Sequence, residues 1–122
     1  MPKVMLFCDP DGSAPSLEWL GTLPERAAEH CRGRMRLLAE MGHLLRRPAA
    51  DYLRDGIYEL RVRSDSVQYR MLYFFHGQGV IVISHGFVKR EAAVPSVEIA
   101  RALRRKQMYD ANPERYTYGV RA

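Results

Sequence analysis

No apolar run in the sequence approaches the ~20 residues a bilayer-crossing helix requires. Lys3-Val4-Met5-Leu6-Phe7 is too short for the apolar region of a secretory signal and lacks the charge-then-cleavage layout of one. A soluble, cytoplasmic protein with no membrane contact is therefore expected. Cysteine is scarce. Cys8 and Cys31 stand far apart and in no metal-ligand spacing, which points to ordinary packing in a reducing compartment rather than to a disulfide. His30, His43, His76 and His85 are not spaced as metal ligands either, so no metal and no cofactor is expected. The strong catalytic signatures are missing too: there is no GxGxxG, no Walker loop, no HExxH and no nucleophile elbow. Any chemistry has to come from something less conspicuous.

What remains is one domain's worth of chain. At 122 residues and 47% hydrophobic composition it can bury a substantial core, and no repeat or low-complexity segment divides it. The net charge of +5 is uneven. Residues 1–50 carry seven basic and six acidic side chains, residues 51–122 twelve and eight. Most of the surplus is arginine, whose planar fork suits phosphate better than a lysine point charge does. This balance suits a nucleic acid or an acidic protein as partner, although many ordinary proteins share it.

Lys3 to Phe7 reads as a short strand ended by the turn Asp9-Pro10-Asp11-Gly12. Pro15 opens a short helix running to Gly21, and Pro24 a longer one ending near Gly42. Ala27, Ala28, Cys31, Met35, Leu38 and Met41 form the apolar stripe of the second, while Arg26, Arg32, Arg34 and Arg36 largely face away. Past Pro48 the period becomes alternating. Strands are expected over Ile57–Arg63, Tyr69–Phe75 and Val80–Arg90, joined by short loops into an antiparallel meander. A last helix starts at Pro95, with Val97, Ala100, Leu103 and Met108 as its apolar stripe and Arg101, Arg104, Arg105 and Lys106 as its basic face. Residues 110–122 form a tail that is either docked or disordered. The segment Leu53–Met108 is thus one strand–strand–strand–helix module with basic side chains on its sheet.

The sheet is where function is to be sought. Arg61, Arg70, His85, Phe87 and Lys89 can share one exposed surface, flanked by Arg63 and Arg90. Such a surface offers cations to a phosphate and a ring on which a base stacks. Each residue also has a plainer reading. Arg61 and Arg63 beside Glu59 suit a solvated strand face, and His85 a satisfied structural histidine. Arg70, a charge inside an otherwise apolar strand, needs a partner or a job, and Glu59 is the available partner.

Three stretches carry a family likeness: Leu53-Arg54-Asp55-Gly56-Ile57-Tyr58-Glu59-Leu60-Arg61, then Tyr69-Arg70-Met71-Leu72-Tyr73-Phe74, then His85-Gly86-Phe87-Val88-Lys89-Arg90. With Ser16-Leu17-Glu18-Trp19-Leu20 and Leu23-Pro24 upstream, and Pro95 with Glu98-Ile99-Ala100 downstream, the chain resembles the phage-derived HigB-like branch of the RelE/ParE toxin superfamily as far as about Tyr109. The resemblance implies a small α+β fold, two N-terminal helices packed on a twisted antiparallel sheet plus a C-terminal helix. It implies the toxin of a type II toxin–antitoxin system, a metal-independent endoribonuclease that cuts mRNA on the ribosome by 2′-hydroxyl attack. An antitoxin, often a helix-turn-helix DNA-binding protein, would neutralise it. Arg70 matches the strand arginine expected to stabilise phosphorane charge, and Arg61 a position that clamps the neighbouring phosphate. His85 and Lys89 both remain open as proton-transfer groups, with Arg63, Phe87 and Arg90 as RNA-binding residues. Val94 stands where relatives commonly carry a threonine or serine before the last helix, which removes a cap worth ~1 kcal/mol. Lys89-Arg90 replaces a more usual Lys-Lys. Two other functions suit the same scaffold: a ParE-like gyrase inhibitor, and an inactive relative that only binds antitoxin.

Overall fold

A computed structural model describes residues 2–119 of the chain. Five strands build one mixed sheet: β1 (Lys3–Leu6), β2 (Ala50–Arg54), β3 (Ile57–Ser64), β4 (Val67–His76) and β5 (Val80–Val88), in the spatial order β1-β5-β4-β3-β2. The helices are α1 (Pro15–Gly21), α2 (Glu25–Met41), α3 (Ser96–Ala111) and the short α4 (Pro113–Tyr116), with a 3-10 turn at Gly42–Leu44. The expected meander is present as β3–β4–β5, each pair antiparallel.

The arrangement around that meander corrects the expectation of two N-terminal helices on an antiparallel sheet. β1 pairs with β5 in parallel, Lys3 opposite Val80 and Leu6 opposite Ile83, which makes the sheet mixed. β2 adds a further antiparallel strand through a two-residue turn at Asp55-Gly56, both at positive φ (53° and 83°). Helices lie on both faces. Leu20 of α1 and Ala27, Ala28, Cys31 and Leu38 of α2 bury against Leu60, Val62, Met71, Tyr73, Ile81 and Ile83. On the opposite face, Ile99, Ala102 and Tyr109 of α3 bury against Ile57, Leu72, Phe74 and Val82. The face that α3 buries is half the expected one: Leu103 and Met108 pack against this cluster, but Val97 is 60% exposed and Ala100 is exposed as well. Arg105, expected on the basic solvent face, turns inward instead and places its guanidinium 5.4 Å from the centre of the Phe7 ring.

Two local devices set what each face presents. A β-bulge in β5 pairs Tyr73 with Ile83 but Leu72 with His85, leaving Ser84 as the extra residue. It shifts the alternation, so Ile83 faces α1 and α2 whereas His85 faces α3. At Gly86 the sheet comes close to α1: a Cβ built there would stand 2.2 Å from Cε3 of Trp19. The tail also has structure. Phe7 and Thr117 form an antiparallel bridge, and the Tyr118 N–H donates to the Leu6 carbonyl at 2.8 Å. Residues 110–119 are thus docked, while 120–122 of the expected tail lie outside the described residues. Cys8 and Cys31 are buried and unpaired.

Candidate functional site

Strand register organises the predicted residues into rows on the α3 side of the sheet. Glu59, Leu72 and His85 form one row, and Arg61, Arg70 and Phe87 the next. Arg63 lies opposite Gln68, whose carbonyl accepts from the Lys89 N–H at 2.8 Å, giving a third. Ile99 of α3 packs in the cluster that contains Leu72, so the helix covers the first row. Arg61, Phe87 and Lys89 are partly accessible, and Arg63 and Arg90 are exposed. The expectation of one exposed surface is corrected for two residues: Arg70 is 2% exposed and His85 5%.

Arg70 is held from several directions. Its Nε donates to Glu59 Oε1 at 2.8 Å, and its Nη1 to the Tyr69 carbonyl at 3.0 Å and to Gln68 Oε1 at 3.3 Å. Nη2 makes no hydrogen bond among the described residues. Burial pulls the Arg70 pKa below the ordinary arginine value, and nearby Arg61 pulls the same way, while Glu59 opposes both. A guanidinium stays protonated through such a shift. The plainer reading, an ion pair with Glu59, therefore describes the observed contact. It leaves one nitrogen of a fixed cation unengaged beside the accessible Arg61.

His85 is enclosed by different partners. Its Nε2 lies 3.0 Å from Glu98 Oε1 and its Nδ1 2.8 Å from Ser84 Oγ. Burial pushes the His85 pKa down, Arg105 and Arg101 act the same way, and the hydrogen bond to Glu98 opposes them, leaving it at about 4. At neutral pH the ring is consequently uncharged. A carboxylate only accepts, so Nε2 carries the proton and donates to Glu98, while Nδ1 accepts from the Ser84 hydroxyl. With both nitrogens engaged under α3, His85 does not reach the surface on which Arg61 and Lys89 lie. Lys89 is closer to solvent, and its Nζ donates to the Ala92 carbonyl at 3.0 Å.

Glu98, Ser84 and Gln68 were missed as members of this arrangement. Glu98 follows Pro95 by three residues, a spacing that signals a helix start but says nothing of a histidine thirteen residues away.

The His85 environment predicts a pH dependence. The folded chain disfavours the imidazolium, so the unfolded state binds the extra proton first. Stability should be intact above the ordinary histidine pKa of ~6.5 and fall as pH drops from there towards 4, by up to about 3 kcal/mol. Urea unfolding at pH 7, 6, 5 and 4 measures this. His85→Gln should flatten the slope in that window, and an unchanged slope would assign it to other groups.

Among the described residues, no group of three His, Cys, Asp or Glu side chains is placed to hold a metal, and no helix is long and apolar enough to cross a membrane. A five-stranded mixed sheet with helices on both faces, and a basic end that the helices leave open, define a small α+β protein with a cationic sheet surface. Residues 18–107 match the family model described as phage derived protein Gp49-like (DUF891), and the chain belongs to that family, a RelE/ParE-like toxin family. No curated protein matches the chain.

Proposed function

We propose that this protein is a HigB-like toxin of a type II toxin–antitoxin system, and that it cleaves mRNA on the ribosome without a metal. The observation that carries the reading is the open end of the sheet. There Arg61, Arg63 and Arg90 make no ion pair among the described residues, Lys89 contacts only a carbonyl, and Arg70 holds a fixed charge behind them. In this reading Arg61 clamps the phosphate next to the scissile bond. Nη2 of Arg70 donates to the phosphate oxygens as negative charge builds during 2′-hydroxyl attack. The 2′-hydroxyl gives its proton to a solvent water as its oxygen bonds to phosphorus, and Lys89 supplies a proton to the departing 5′-oxygen. Phe87 offers a ring edge to a base, and Arg63 and Arg90 hold flanking phosphates. His85 acts through position: its bond to Glu98 fixes the first turn of α3 beside the surface. The partners are then ribosome-bound mRNA and an antitoxin of the helix-turn-helix type, both in the cytoplasm.

The burial of His85 favours a second reading, a relative that binds antitoxin without cleaving RNA, because no imidazole faces the surface. Induction in a bacterium, with mRNA ends mapped and DNA-damage signalling measured, separates the possibilities. In-frame transcript cuts that fall about 100-fold or more in Arg61→Ala are the expected result. DNA breaks with intact transcripts would move the assignment to gyrase inhibition. Unaffected growth under verified expression would leave only the binding module.

A further inference from the structure

The pairing of β2 with β3 stops early. Ala50 is opposite Leu60, the Arg61 N–H donates to the Ala49 carbonyl at 2.8 Å, and beyond that point β3 has an uncovered edge. Two depressions meet there. One of about 490 Å³ lies between α2 and β3, lined by His30, Gly33 and Arg34, and the other, of about 230 Å³, reaches Arg61 and Gln68. They share Arg34, Val62 and Arg63. Val62 belongs to the α2 face of the sheet and Arg61 to the α3 face, so the combined groove runs around the edge of β3 from one face to the other.

We infer that this groove is a second RNA-backbone subsite, which carries the strand from the proposed cleavage surface around β3 to α2. The inference rests on that cleavage reading for the direction of the strand, though not for the groove's affinity for phosphate. Arg34, Arg61 and Arg63 make no ion pair among the described residues, and the carboxylate of Glu29, which also lines the groove beside Arg36, is engaged by Arg32 and Arg36. Arg61 and Arg63, two residues apart on one strand face, set guanidinium stems ~7 Å apart, close to one nucleotide step. His30 is tied to Ser64 Oγ at 2.9 Å, which fixes its ring at the groove wall.

Gly33 supplies an independent observation. It interrupts the interior of α2, where glycine is unfavourable relative to alanine, yet a Cβ there would meet only Arg36 Nη2 at 3.7 Å. The protein's own packing does not call for glycine at this position. Its effect is to leave the groove floor as bare backbone, over which a phosphate can pass closely. An acidic helix is a poorer match, because such a partner needs a row of apolar anchors and the groove offers Val62 and Pro48, which make no row. Phosphate needs donors and charge, which the groove has.

The test uses the full chain and fluorescent 2′-O-methyl RNAs of three and eight nucleotides, which cannot be cleaved, with anisotropy read across salt concentrations. The octamer should bind about tenfold more tightly than the trimer. Arg34→Ala should collapse that difference and lower the octamer's salt slope by about one. Gly33→Ala should raise the melting temperature by roughly 3–6 °C while weakening octamer binding about threefold or more, which excludes misfolding as the cause. Octamer affinity unchanged in both variants overturns the inference, whatever the transcript-mapping result. Failure of either RNA to bind, with capture of an acidic peptide instead, also overturns it. Length-dependent binding through Arg34 without transcript cleavage in cells would uphold the subsite and sink the nuclease reading.

Discussion

Replacing Glu59 with alanine is expected to lower folding stability by about 3–5 kcal/mol, as removal of one partner of a buried ion pair does. The carboxylate and the Arg70 guanidinium meet at 2.8 Å with side-chain exposures of 8% and 3%. Without Glu59, the charge on Arg70 keeps only the Tyr69 carbonyl and the Gln68 side chain, both neutral acceptors. Urea unfolding of Glu59→Ala, Arg70→Met and the double variant Glu59→Leu/Arg70→Met gives the comparison. The double variant should recover most of the loss, because two apolar groups of similar volume need no charge compensation. Full stability in Glu59→Ala alone would mean that water reaches Arg70, and that its charge is not held by the protein. The series also bears on function. If transcripts are cut as proposed, a double variant that folds but no longer cuts them would separate the part proposed for Arg70 in cleavage from its part in the fold.

The second large effect is expected at Gly86. A Cβ there would stand 2.2, 2.4 and 2.5 Å from three ring atoms of Trp19, distances that force α1 or the indole to move. Trp19 is also placed edge-on to Tyr69, with 6.0 Å between ring centres, so moving it disturbs a second contact. Gly86→Ala should destabilise by about 2–3 kcal/mol, in the range for overpacked cores. The same change made on Trp19→Ala should cost almost nothing, since the obstruction is then gone. Thermal unfolding of the two single variants and the double variant measures that coupling. Additive losses would show that the ring does not set the requirement for glycine.

The two N-terminal helices and the meander were legible because their signals are local. Pro15 and Pro24 mark helix starts, Gly42 an end, and β3 alternates residue by residue. What escaped was nonlocal or too short. β1 itself was legible as the short strand from Lys3 to Phe7, but its parallel partner at Val80–Ile83 lies far along the chain and was not. β2 presents Ala50-Asp51-Tyr52-Leu53-Arg54, whose burial follows its neighbours rather than any hydrophobic alternation of its own. For α3, Val97 and Ala100 fit an apolar spacing as well as Ile99 and Ala102 do, and only the facing sheet decides between them. The candidate site divides in the same way. Arg61, Arg70 and Phe87 do fall in one row, as antiparallel pairing of an alternating pattern requires. The burial of His85 was not legible, because it depends on where α3 returns and on the carboxylate that Glu98 brings with it.

The docked tail has a consequence for the order of assembly. β1 leaves the ribosome before the other described elements, yet its two neighbours are β5 and the segment around Thr117. The meander can close as soon as Val88 emerges, with sequence-adjacent strands and short turns. β1 has to wait for β5, and the bonds from Leu6 and Cys8 to Tyr118 and Tyr116 wait for nearly the whole described chain. A nascent chain stalled before residue 113 should therefore carry an unclosed sheet margin, with Phe7 lacking the Tyr116 ring stacked 5.6 Å from it. For a growing polypeptide this makes closure of the sheet margin wait until the segment that carries Tyr116, Thr117 and Tyr118 has emerged.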